Sequence, residues 1–97
     1  MILRQLRAAE AEVEDAAAFY ESRQTGLGRA FKNEIRQVYD AVLEFPNRGR
    51  HLGEGLQRCL LKRFPYAVIY RVDGNELLII AVAHFKRREG YWRKRLP

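Results

Sequence analysis

The sequence contains a single cysteine, Cys59, in 97 residues. One thiol closes no internal disulfide, and no cluster of cysteine and histidine has metal-ligand spacing. Neither a disulfide framework, a metal nor another cofactor is therefore expected. No apolar run approaches the roughly 20 residues of a membrane span. The opening MILRQLR is too short and too interrupted by arginine to read as a secretory signal. Internal repeats, low-complexity stretches and linkers are also missing. These absences predict one soluble cytoplasmic domain over residues 1–97, held by packing alone and with no membrane partner.

What is present fits a globular chain, with 47% hydrophobic and 31% charged residues. The net charge of +6 is unevenly spread. Residues 1–46 hold six Lys/Arg against eight Asp/Glu, a balance of −2, whereas residues 47–97 hold twelve against four, a balance of +8. Such asymmetry predicts a positive face that meets nucleic acid, an acidic protein or an acidic peptide.

The first half reads as two helices after a short strand at residues 2–6. Leu6, Ala9, Val13, Ala16 and Tyr20 recur every three or four residues, with Glu10, Glu12, Glu14 and Asp15 largely off that stripe. Thr25 and Gly26 break the pattern. Leu27, Phe31, Ile35, Val38, Val42 and Phe45 then form a second stripe, stopped by Pro46. The short break predicts an antiparallel helical hairpin with one apolar side.

Beyond a Gly- and Arg-rich loop at residues 47–55, three runs read as strands: 56–63, 66–72 and 76–85. Pro65 marks the corner between the first two, since it cannot donate to a ladder. Asp73-Gly74-Asn75 is a hairpin signal between the last two. The third run is apolar on both faces, as a central strand would be. The predicted fold is α+β, ordered β-α-α-β-β-β, with a helical hairpin on a mostly antiparallel four-stranded sheet and a short C-terminal tail or helix.

Several motifs carry a family likeness. RCLLKRFPYAVIYR at residues 58–71, AVAH at 81–84, Arg87, and Tyr91-Trp92 form the C-terminal set. AAAFY at residues 16–20, Gly26, Gly28, Phe31 and Phe45-Pro46 form the helical set. Together they resemble the RelE/ParE toxin superfamily, and within it the plasmid stabilisation branch. The resemblance implies a growth-inhibiting toxin of a type II toxin–antitoxin pair, bound by its cognate antitoxin in a hetero-oligomer. It also implies a macromolecular target: DNA gyrase in the ParE branch, or mRNA on the ribosome in the RelE branch. The chain departs from the family pattern at Arg88 and Glu89, where relatives carry an acidic residue and a proline. It departs again at Ala67, where the ribonuclease branch places a strand arginine, and this favours an inhibitor over a nuclease.

Cleaving RNA through its 2′-hydroxyl needs a base, an acid and cations for the charge developing on phosphorus. His51, His84, Glu89 and Tyr91 are the proton-transfer candidates; Arg58, Arg63, Arg87 and Arg88 are the cations. If the protein is an enzyme, His84, Arg87 and Tyr91 are the residues to carry it. His84 ends a strand on the side expected for Ile80 and Val82, so a hydrogen-bonded rim histidine competes with catalysis. His51 reads as a solvated loop residue. No base–acid pair stands out.

The residues predicted to bind target or antitoxin are Arg58, Arg63, Tyr66, Arg87, Arg88, Tyr91, Trp92 and Arg93. Arg63 and Tyr66 also have a structural reading, in which Phe64 and Tyr66 pack the Pro65 corner. In the tail, aromatic rings beside arginines suit stacking on bases. A Trp92 folded back to cap the sheet would instead hold those arginines in place. The expected antitoxin partner is an acidic segment, disordered when free, that folds as an amphipathic helix or strand on this surface.

Overall fold

In the computed structural model, which describes residues 1–96, the chain runs β1 (Ile2–Gln5), α1 (Arg7–Arg23), α2 (Leu27–Glu44), β2 (Arg50–Gly53), β3 (Leu56–Leu60), β4 (Tyr66–Asp73) and β5 (Glu76–His84), ending in a 3-10 turn, Tyr91–Arg95. The α+β class and the helical hairpin are as the pattern predicts. The sheet, however, has five strands rather than four, ordered β1-β5-β4-β3-β2. β1 runs parallel to β5, and all other pairs are antiparallel.

The added strand, β2, lies inside the stretch read as a loop. Its sequence, RHLG, lacks the apolar alternation that reveals a strand. What makes it a strand is its turn. Gly53, Glu54 and Gly55 all have positive φ, at 88°, 56° and 76°, and Gly53 faces Leu56 across a two-residue loop. That is the backbone a tight primed hairpin requires. A glutamate where asparagine or aspartate is usual hid the signal.

The helical hairpin covers one face of the sheet. Ala9, Val13, Ala16 and Ala17 of α1 and Phe31, Ile35 and Val42 of α2 meet Val68, Tyr70, Leu77, Ile79 and Val82. Leu6 departs from its expected stripe and packs on the opposite face, while Phe45 ends α2 exposed. Rings of Tyr20, Phe31, Phe64 and Tyr66 pack at centroid distances of 4.8 to 6.3 Å, within the range of favourable aromatic pairs. The two helices approach closely because of Gly28. A Cβ there would stand 2.5 Å from the Ala17 carbonyl oxygen. Glu21 of α1 reaches over to accept the Gly26 and Gly28 N–H groups, satisfying donors at the start of α2 that have no partner within that helix.

Glu34 of α2 points into the protein. Its carboxylate accepts the backbone N–H groups of Lys62 and Arg63, fixing the β3–β4 loop. Charged residues are almost never buried without such partners.

β5 carries a bulge. Ile69 pairs with Ala81 but Tyr70 pairs with Ile79, leaving Ile80 as the extra residue. Leu77, Ile79 and Val82 therefore face the helices, whereas Ile80, Ala81 and Ala83 face the other way. The expectation that His84 shares a side with both Ile80 and Val82 fails at Ile80. His84 keeps Val82's side and presents a ring edge to Tyr66, with centroids 4.9 Å apart.

Candidate functional site

The face of the sheet turned away from the helices is covered only in part, by the C-terminal 3-10 turn. Trp92 is docked there, 5% exposed, against Leu56, Ile69, Ile80 and Ala81. The tail is thus an ordered cap. Gly90 enters it with φ of 80°, and two ion pairs hold it. Arg93 bonds Glu54 at 2.9 Å beside the β2–β3 turn. Arg95 grips Glu12 with two nitrogens, at 2.9 and 3.0 Å, and donates to the Ile80 carbonyl at 3.0 Å.

Glu12 is the centre of this arrangement. β1 pairs with β5 only from Glu76 to Ile79, so the rest of that β5 edge lacks a strand partner. Glu12 reaches it from α1 and accepts the Val82 N–H at 3.0 Å. It also accepts the Tyr91 hydroxyl. Burial, and then the hydrogen bond to Glu12, push the Tyr91 hydroxyl well above the usual tyrosine range. Sequence reading set Glu12 aside as one of four acids off the α1 stripe. Nothing local distinguishes it, because its partners lie 70 to 83 residues away.

Beside the docked turn the uncovered face sinks into a hollow of about 300 Å³. Small side chains make its floor: Ala67 and Ala83 are direct cross-strand partners, with Ile69 alongside. Leu60 and Phe85, 52% and 53% exposed, wall it together with Trp92. Arg58, Arg87 and Glu89 stand at its edge.

The expected site residues divide around this hollow. Arg58, Arg87, Tyr91 and Trp92 converge on it, and Arg88 stands outside with Lys94 on the outer side of the turn. Arg93 is taken up by Glu54. Arg63 lies in the β3–β4 loop, its guanidinium 5.7 Å from the Phe64 ring centroid. Tyr66 sits on the helix face in the aromatic cluster, so neither Arg63 nor Tyr66 lines the hollow. Arg87 lies over the Tyr91 ring at 3.9 Å, a close cation–π contact. His84 Nδ1 accepts the Lys86 N–H at 3.0 Å. His51 is exposed on the edge strand β2. Sequence reading missed Leu60 and Phe85, which look like ordinary strand residues and carry no signal of exposure.

Chemically, the site is rich in cations, with Glu89 the carboxylate at its edge. Tyr91 is committed to Glu12, and the position after Tyr66 holds a methyl group. No group of three or more His, Cys, Asp or Glu among the described residues is placed to hold a metal ion. No helix of the described residues is long and apolar enough to cross a membrane.

Comparison with known proteins agrees with this architecture. A family profile described as ParE toxin of type II toxin-antitoxin system, parDE, matches residues 3–89. Among solved structures, the chromosomal ParDE TA system from P. aeruginosa contains a similar chain, with a TM-score of 0.71 and 24% identity. The match covers 87% of this chain and 95% of that one. No curated protein matches. With nearly its whole length inside the family profile, the chain belongs to the ParE toxins of type II toxin–antitoxin systems, within the RelE/ParE superfamily.

Proposed function

We propose that this toxin acts as a single domain in the cytoplasm by binding a macromolecular target, DNA gyrase, and not by cutting RNA. The observation that carries this reading is the engagement of Tyr91, the hydroxyl among the proton-transfer candidates. The Tyr91 hydroxyl is spent on Glu12, and His84 Nδ1 on the Lys86 N–H. Ala67 occupies the strand position where the ribonuclease branch has an arginine. Cleavage through Tyr91 would need its hydroxyl freed from Glu12, and the charge developing on phosphorus would meet a methyl group at position 67. Binding needs only the cationic, apolar-walled surface that is already formed.

Neutralisation follows from the same charge distribution. The +8 balance of residues 47–97 suits an antitoxin whose acidic segment is disordered when free and orders on the toxin in a hetero-oligomer. Salt then slows the encounter more than it loosens the finished complex.

A second reading, ribosome-dependent mRNA cleavage, is favoured by the meeting of His84, Arg87 and Tyr91 at one edge of the hollow. Induction of the toxin without its antitoxin separates the two. Stabilised gyrase–DNA cleavage complexes with an SOS response support gyrase binding. Codon-spaced mRNA cuts with no gyrase effect would overturn it.

A further inference from the structure

The register of the β2–β3 hairpin sets Arg50 directly opposite Arg58. Directly opposed residues of antiparallel strands project from the same face with Cβ atoms about 5 Å apart, where like charges repel. No carboxylate of the described residues pairs with either one; the ion pairs go instead to Arg4, Lys32, Arg71, Arg93 and Arg95. Arg58 is also at the edge of the hollow, and Arg87 stands at the same hollow. The surface therefore combines an apolar recess and an unneutralised arginine pair. Together they ask for an apolar side chain beside a carboxylate.

We infer that this hollow and the Arg50–Arg58 pair are the seat of the antitoxin's acidic segment, bound extended with apolar and acidic side chains alternating. One apolar side chain enters the recess above Ala67 and Ala83, between Leu60 and Phe85. A neighbouring carboxylate bridges Arg50 and Arg58, relieving their repulsion. The occupant is a peptide and not a nucleic acid because both rings of the tail are already used. Trp92 is buried in the sheet, and the Tyr91 face is covered by Arg87 at 3.9 Å. At the hollow, among the described residues, Phe85 is left as the one largely exposed ring, whereas single-strand binders stack successive bases on several.

The inference rests on the reading that an acidic antitoxin segment neutralises the toxin, and the two can fail separately. Trp92 is the chain's only tryptophan, so its fluorescence reports on the hollow. The full-length toxin is titrated with its cognate antitoxin, prepared without tryptophan, and with a form of that antitoxin whose acidic residues are changed to amides. Expected are a shift in Trp92 emission on binding and about a tenfold loss of affinity for Arg50→Gln or Arg58→Gln, as charge-assisted contacts are lost. The double variant loses less than the product of the single losses, because one carboxylate serves both arginines. Arg63→Gln changes affinity less than twofold, since Arg63 is outside the hollow. Both single variants fold at least as stably as the parent, because each relieves a like-charge pair.

If the amide form binds as tightly as the acidic one, the acidic-segment reading falls and the seat falls with it. If acidity matters but Arg50 and Arg58 do not, or Trp92 emission is unmoved, only the seat is wrong. A short single-stranded oligodeoxythymidine that shifts Trp92 emission and competes with the antitoxin would overturn the choice of a peptide.

Discussion

Replacing Glu12 with glutamine tests whether one carboxylate holds the C-terminal turn to the sheet. The carboxylate accepts the Val82 N–H at 3.0 Å, two Arg95 nitrogens at 2.9 and 3.0 Å, and the Tyr91 hydroxyl. Glutamine keeps one acceptor oxygen and turns an amide donor toward the guanidinium. Removing one member of a fully buried ion pair costs about 3–5 kcal/mol, and hydrogen bonds to charged groups contribute about 1.5–3 kcal/mol each. Glu12 and Arg95 are 16% and 18% exposed, so water recovers part of that loss and about 2–3 kcal/mol is the expected cost. For a domain of this size, that lowers Tm by roughly 10–20 °C. Thermal unfolding followed by circular dichroism gives the shift. Trp92 emission moves to longer wavelength at temperatures below the main transition as the turn releases. A double-mutant cycle with Arg95→Met isolates the pair, with a coupling of about 1–3 kcal/mol expected. A Tm change below about 3 °C, with coupling near zero, would refute the assignment of Glu12 as the anchor.

Gly28→Ala places a Cβ 2.5 Å from the Ala17 carbonyl oxygen. It should destabilise by about 1–3 kcal/mol despite the better helix propensity of alanine; unchanged denaturant unfolding would show that the helices part freely. The hydroxyls of all five tyrosines, Tyr20, Tyr39, Tyr66, Tyr70 and Tyr91, are pushed up, with burial the largest cause in each. The unfolded chain then ionises first, near the ordinary value of about 10, so stability is intact below that pH and falls as pH rises above it. Tyrosinate absorbance should appear together with unfolding, and Tyr91→Phe should lessen the slope; free ionisation of folded tyrosines at their ordinary value contradicts this. Arg87 stands at the hollow, whereas Arg4 lies on the edge strand β1 and pairs with Glu76 at the start of β5. Arg87→Ala should therefore weaken growth arrest on induction without antitoxin, with roughly tenfold more inducer needed than for Arg4→Ala. Equal effects would remove the hollow from toxicity.

The helices and the strands β3, β4 and β5 were legible because their signals are local. Apolar residues at helical spacing, Pro65 at a corner and Asp73-Gly74-Asn75 at a turn each act within a few residues. β2 was not legible, since an edge strand of arginine, histidine and glycine has no buried face to impose a pattern. Glu12 and Glu34 were missed for a related reason. Their burial is made possible by backbone donors and an arginine that only the folded chain brings near. The arginines of the site were recognisable as a cationic set. Which of them meet at the hollow depended on strand register, and that separated Arg58 and Arg87 from Arg63.

The single extra residue in β5 decides what kind of surface this protein offers. A regular strand would carry the alternation of Leu77 and Ile79 onward, placing Ala81 and Ala83 under the helices and Val82 and His84 on the open face. The bulge at Ile80 exchanges these two sets. The valine fills the interior, where volume is needed, and the alanines go outside, where its lack makes a recess. A backbone irregularity one residue long thus turns a filled surface into a receptive one, without any change in which amino acids the strand contains.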